Sequence, residues 1–258
     1  MATASSTSDY KRARHRLVLQ ALTALDREFL GRAKCYFGGG TRIAMDLGEF
    51  RESADIDLLC ADRDGYRALR STVSDKSLGA IVRGKLPLAR EVIADRYGIR
   101  TFVQVGGEKI KFEIVSEGRI EIAGGIDAQF PVPALSRTSC FAEKFLANAD
   151  RWNDDSFLGR DIVDLAFMIL GWSAADAQAG FEQARQSYGK VVNGALKKAV
   201  SSMSERRDHM RRCSAGLLVD DARNLARGLR KLSVFPPKPR AKPVGSRLRR
   251  RDRPEPDR

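Results

Sequence analysis

The stretch that decides the fold is Gly38-Gly39-Gly40-Thr41, followed by Arg51-Glu52-Ser53-Ala54-Asp55-Ile56-Asp57-Leu58-Leu59. A glycine turn lets backbone N–H groups come close to a phosphate. A helix opening near Thr41 would aim its unpaired donors and positive dipole end at the same anion. On a strand, alternate side chains share a face, so Asp55 and Asp57 point together into a cleft while Ile56 and Leu58 turn into the core. Two adjacent carboxylates repel unless a cation sits between them, and hard carboxylate and phosphate oxygens suit Mg²⁺. The stretch therefore predicts a site for a metal-bound triphosphate, entered from a short strand ending at Tyr36-Phe37.

Composition narrows what can surround such a site. A chain of 258 residues, 43% hydrophobic, can bury one generous core or two small domains. No apolar run approaches the roughly twenty residues of a membrane span, and Met-Ala-Thr-Ala-Ser-Ser-Thr-Ser lacks a signal-peptide core, so no membrane contact and a cytoplasmic location are expected. Cys35, Cys60, Cys140 and Cys213 lie far apart without zinc-ligand spacing, which predicts buried thiols in a reducing compartment. The only histidines are His15 and His209, which argues against a histidine-based triad. The net charge of +13 favours an anionic partner such as nucleic acid. Residues 236–258 hold nine Lys/Arg against three Asp/Glu, a net of +6, leaving about +7 on the body.

Residues 1–8 are small and polar and read as disordered. From Asp9 to Arg32 apolar residues recur at helical spacing, with His15 in the basic half read as solvated surface. Beyond the central stretch come a turn at Asp62–Gly65 and a short helix from Tyr66 to Val73. Strands Ile99–Val105 and Lys109–Val115 flank a Gly106-Gly107-Glu108 hairpin turn. On the second strand Ile110, Phe112 and Ile114 face the core, leaving Lys109, Lys111 and Glu113 on the other side. A further strand is expected over Arg119–Ile122, with Gly124-Gly125 in a loop. Pro131-Val132-Pro133 then breaks regular structure. This divides the chain into an α/β domain over 9–132, a helical domain over 133–235 and a disordered basic tail over 236–258.

The helical half opens with Ser136 or Thr138 as N-cap and runs through Lys144 to Arg151. A second helix, Arg160 to Leu170, places Asp161 and Asp164 on one face. Helices over Ala174–Tyr188, Gly189–Met203, Glu205–Arg212 and Asp220–Leu232 follow. Arg206, Arg207, Arg211 and Arg212 cluster on one of these, and Arg223, Arg227 and Arg230 on another, suited to tracking a phosphate backbone.

Gly39-Gly40-Thr41 with Arg51-x-Ser53-x-Asp55-Ile56-Asp57-Leu58 resembles the first motif of the polymerase-β-like nucleotidyltransferase superfamily, and more narrowly the AbiEii/AbiGii toxin family. Glu143-Lys144, Ala147 and Arg151, then Arg160-Asp161-x-x-Asp164-Leu165, resemble the same family, and the match covers residues 30 to 170. The resemblance implies an α+β fold: a mixed sheet with flanking helices, followed by a helical C-terminal half. It implies that Asp55 and Asp57 bind Mg²⁺, that Gly39, Gly40 and Thr41 cradle phosphates, and that Arg51 and Ser53 belong to the nucleotide site. Lys144 would hold triphosphate oxygens as a point charge, Asp161 would orient it or the ribose, and Arg160 or Arg151 would be a second phosphate contact. If the Lys109–Val115 strand lies beside the Asp57 strand, Glu113 becomes a third carboxylate, to accept a proton or ligate a second metal.

The activity so implied is transfer of a nucleoside monophosphate from an NTP to RNA, tRNA being the candidate acceptor. The setting is a toxin–antitoxin or phage-defence system with a cognate antitoxin. Two alternatives stay open: the same chemistry on a protein hydroxyl or a small molecule, and a nucleic-acid-binding protein whose transferase site has decayed.

Overall fold

In the computed structural model, residues 10–236 are described. The expected disordered N-terminus, 1–8, and almost all of the basic tail lie outside the described residues. The chain begins with two helices where one was expected, α1 (Ala13–Thr23) and α2 (Arg27–Arg32). The break falls where Asp26 takes up an extended conformation and accepts a hydrogen bond from Phe29 N, capping α2. Strand β1 (Cys35–Phe37) leads into α3 (Gly39–Asp46), which starts two residues earlier than expected. Strand β2 (Ile56–Cys60) follows, then α4 (Arg63–Ser71), capped by Asp62, which absorbs the expected Asp62–Gly65 turn.

The middle of the chain supplies β3 (Ile93–Ala94), β4 (Gly98–Val105), β5 (Glu108–Ser116), β6 (Gly124–Gly125) and β7 (Ala134–Leu135). The hairpin β4–β5 forms as its Gly106-Gly107 turn predicts, both glycines having positive φ. The strand expected over Arg119–Ile122 does not form, and the two glycines that follow form β6 instead. Arg119 is drawn into a side-chain cluster with Glu117, Glu143 and Asp150, which takes its backbone away from any ladder.

Seven strands make one mixed sheet in the order β3-β4-β5-β2-β1-β7-β6. The β2–β5 and β1–β7 pairs are parallel and the others antiparallel. In the β2–β5 register Asp57 stands opposite Glu113, so period-2 alternation puts both on one face of the sheet.

The C-terminal half is helical: α5 (Arg137–Arg151), capped by Ser136, then α6 (Arg160–Gly171), α7 (Ala174–Tyr188), α8 (Val191–Glu205), α9 (Arg207–Gly216) and α10 (Ala222–Ser233). Two apolar clusters hold the chain together. One joins α1 and α2 to the strands through Leu22, Phe37, Leu58 and Phe112; the other packs the helical half around Phe141, Phe145, Val163 and Phe181. Helix α3 serves both, giving Ile43 and Ala44 to the helical cluster and Met45 to the sheet cluster. The turn at its N-terminus is thus fixed from two sides. Among the described residues no helix is long and apolar enough to cross a membrane.

Candidate active site

A cavity of about 320 Å³ opens where the ends of β2 and β5 meet the N-terminus of α3 and the inner faces of α5 and α6. Gly39, Gly40, Arg51, Ser53, Asp55, Asp57, Glu113, Lys144 and Arg160 all line it, so nine expected site residues, spread from position 39 to position 160, converge on one space. Thr41 and Asp161 do not line it. Thr41 is buried behind the turn with its hydroxyl hydrogen-bonded to Ser53 Oγ at 2.9 Å, and Asp161 lies under Lys144.

The glycines do more than free the backbone. Gly39 has φ +67°, and a Cβ there would collide with the Asp57 carboxylate; a Cβ on Gly40 would collide with the Arg51 guanidinium. Their absent side chains let the first turn of α3 close onto Asp57, whose negative charge sits against the helix's positive end.

Asp57 is carried by β2 and Asp55 by the loop just before it. Burial first, and then the neighbouring Asp55 carboxylate, raise the pKa of Asp57. Among the described residues no ion pair reaches either side chain, nor do any three His, Cys, Asp or Glu side chains form a metal-holding group. Two hard carboxylates without a direct ion-pair partner among the described residues, facing a space for phosphate oxygens, fit Mg²⁺, which takes few protein ligands and completes its shell from water and substrate.

Lys144 is 7% exposed, and its Nζ lies 3.0 Å from Asp161 Oδ1 and 2.7 Å from Asp164 Oδ2. Burial opposes its charge, but Asp164 and Asp161 outweigh burial and raise its pKa, so it stays a cation. Arg51, which lines the cavity, is also paired with Asp164: Nε donates to Oδ1 at 2.6 Å and NH2 to Oδ2 at 2.9 Å. Arg151 donates to both oxygens of Asp161. The result is a chain, Arg51–Asp164–Lys144–Asp161–Arg151, buried except at Arg151, of three cations and two anions, which fixes Lys144 and keeps a surplus positive charge at the cavity wall. Asp164, 0% exposed, is the hub, a role the sequence reading did not assign to it. Its spacing from Asp161 was the signal. Arg160 lines the cavity with its guanidinium over the Phe157 ring, and among the described residues no carboxylate pairs with it.

Glu113 shares the cavity but is already engaged, accepting from Arg100 Nε at 2.9 Å and Lys111 Nζ at 2.5 Å. Burial works against its ionisation, yet Lys111 and Arg100 prevail and lower its pKa. At the far end of the cavity Arg119 bridges Glu117, Glu143 and Asp150, a cluster not anticipated from sequence. Burial and the adjacent Glu117 push the Glu143 carboxyl up to about 8.

His15 corrects the sequence reading outright: it is 0% exposed, not solvated. Its Nδ1 lies 2.9 Å from Glu49 Oε1, and the backbone N–H of Ser53 donates to Nε2 at 3.3 Å. Burial lowers its pKa against the opposing effect of Glu49, so the ring is neutral. Because Nε2 accepts, the proton sits on Nδ1 and is donated to Glu49. Glu49 also accepts from the backbone N–H groups of Lys11 and Arg12, capping the start of α1. The first turn of α1 therefore grips the loop that delivers Asp55.

A family model described as the nucleotidyl transferase AbiEii toxin of type IV toxin–antitoxin systems matches residues 20–240 of this chain. The chain belongs to the AbiEii family. It is thus a nucleotidyltransferase-family toxin, and its fold is the expected mixed α+β arrangement. Among solved structures it is similar to an antigenic nucleotidyltransferase-like protein from Paracoccidioides brasiliensis, with 16% identity, coverage of 78% of this chain and 92% of that one, and a TM-score of 0.38. Comparison with curated proteins gives no match.

Proposed function

We propose that this AbiEii-family chain transfers a nucleoside monophosphate from an NTP to an RNA acceptor, with tRNA the first to test, and that Asp55 and Asp57 hold Mg²⁺ for the reaction. The observation that carries this reading is the convergence of Gly39-Gly40, Asp55, Asp57 and Lys144 on one 320 Å³ cavity. Bound Mg²⁺ would neutralise charge on the phosphate oxygens as a Lewis acid.

The rest falls to the chain's own groups. N–H donors at the start of α3 hold phosphate oxygens. Lys144, fixed by Asp161 and Asp164, and Arg160 offset the charge that grows on departing pyrophosphate. The acceptor oxygen bonds to the α-phosphorus as the bond to the β-phosphate oxygen breaks. Glu113 takes the acceptor's proton; its lowered pKa keeps it ionised at neutral pH but makes it a weak base. Arg51 acts behind Lys144, and Thr41 and Ser53 brace the turn against the Asp55 loop.

RNA as acceptor is supported by the net charge of +13 and by the arginines of α9 and α10, and the family's type IV setting supports a cognate antitoxin and a role in phage defence. We also propose that the chain works as two units, a nucleotidyltransferase α/β domain over 9–132 and a helical domain over 133–235. The purified protein, incubated with Mg²⁺, total RNA and each α-labelled NTP in turn, should label RNA, and Asp57→Ala should abolish the label. Label recovered in protein, or undiminished by Asp57→Ala, contradicts the proposal.

A further inference from the structure

Cys35 and Cys60 stand directly opposite each other on β1 and β2. In an antiparallel pair, opposed residues alternate between those that exchange backbone hydrogen bonds and those that do not. The non-bonded pairs are closer, with Cα atoms about 4.5 Å apart. Three backbone bonds show which kind this is. Gly38 N donates to Asp57 O, which makes that the bonded position and places Cys35–Cys60, three steps on, at a non-bonded one. Phe37 N donates away to Pro133 O, and Cys60 O accepts from Glu117 N on the opposite side, as the same alternation requires. A Cα separation of about 4.5 Å falls within the roughly 4.4–6.8 Å that a disulfide spans.

The side chains agree with the backbone. Both thiols are buried in the sheet cluster, at opposed positions of the β1–β2 ladder. Cys60 Sγ also donates to Ala33 O at 3.2 Å. Burial raises the Cys35 thiol, while the neighbouring Cys35 lowers that of Cys60. Only a short stretch needs to open to admit an oxidant. β1 has three residues, its outer neighbour β7 has two, and the Lys34–Asp62 ion pair beside the thiols is surface-exposed on the lysine side.

We propose that Cys35 and Cys60 are an oxidation site, closing a reversible disulfide between β1 and β2 on exposure to hydrogen peroxide. The Cys60 thiolate attacks one peroxide oxygen, the O–O bond breaks, and hydroxide leaves as water, giving a sulfenic acid. Cys35 sulfur then attacks the Cys60 sulfur and expels the hydroxyl as a second water. Two electrons pass from the thiol pair to peroxide, and both thiol protons end in water. The bond locks β1, which leads into Gly38, to β2, which carries Asp57, each of the two residues lying three positions from a cysteine.

The test is peptide mapping of the full chain after mild peroxide treatment under native conditions, quenched with an alkylating agent and digested without reductant. The expected result is a Cys35–Cys60 linked peptide, abolished by dithiothreitol, with Cys140 and Cys213 still alkylated. Cys60→Ser, shown folded by circular dichroism, should yield no such link and should leave Cys35 alkylated. Both residues alkylated after peroxide has oxidised Cys213, or links joining Cys140 or Cys213 instead, would overturn the proposal.

Discussion

Asp164→Asn tests whether the buried ion chain is what holds Lys144 in place. The substitution preserves size but removes the charge that accepts from Arg51 at 2.6 and 2.9 Å and faces Lys144 at 2.7 Å. Arg51 and Lys144 are then left facing each other, both buried, with only Asp161 still opposing Lys144. Removing one partner of a buried pair costs about 3–5 kcal/mol. The amide can still accept one bond, so the lower end, about 3 kcal/mol, is expected. With a urea m-value of about 3 kcal/mol/M, this moves the unfolding midpoint down by about 1 M, measurable by far-UV circular dichroism. Asp161→Asn should cost less, because Arg151, which loses its partner, is part-exposed and can rehydrate. An unchanged midpoint for Asp164→Asn would refute the view that these charges are interdependent.

Two substitutions at His15 separate its two hydrogen bonds. His15→Gln can accept from Ser53 N but loses the bond to Glu49, whereas His15→Asn can reach Glu49 but not Ser53; the account predicts that the Asn variant loses more kcat at similar stability, measured by initial rates and thermal melts. Because burial holds the native His15 pKa below the unfolded 6.5, the unfolded chain binds the extra proton first. Stability is therefore full above 6.5 and declines as pH falls toward the lowered native value, by at most about 1.4 kcal/mol per unit. Urea midpoints between pH 8 and 5 should fall in the wild type and flatten in His15→Gln. Gly39→Ala puts a side chain at φ +67° against Asp57, so at least about 1 kcal/mol of stability and most of the activity should be lost; a fully active variant would show that the close approach is not needed.

The strand pair bearing Asp57 and Glu113 was legible because alternation is local: five residues of β2 and nine of β5 each declare their faces. The glycine turn and the Gly106-Gly107 hairpin were legible for the same reason. What failed was remote. His15 sits among arginines, and its partners Glu49 and Ser53 lie 34 and 38 residues away, so nothing nearby marks it as buried. Arg51 meets Asp164 across 113 residues, so its pairing was invisible in the sequence even though its place at the cavity was not. The strand assigned to Arg119–Ile122 failed because its propensity was overridden by Arg119's tertiary ion cluster.

The claim on which the rest depends is that Asp55 and Asp57, the Gly39-Gly40 turn and Lys144 make one site for a metal-bound triphosphate. Isothermal titration of the protein with each NTP, with and without Mg²⁺, for wild type and Asp57→Asn, tests it most directly. Mg²⁺-dependent binding of at least one NTP is expected, weakened at least about tenfold by Asp57→Asn. Binding that ignores both Mg²⁺ and the substitution would contradict it.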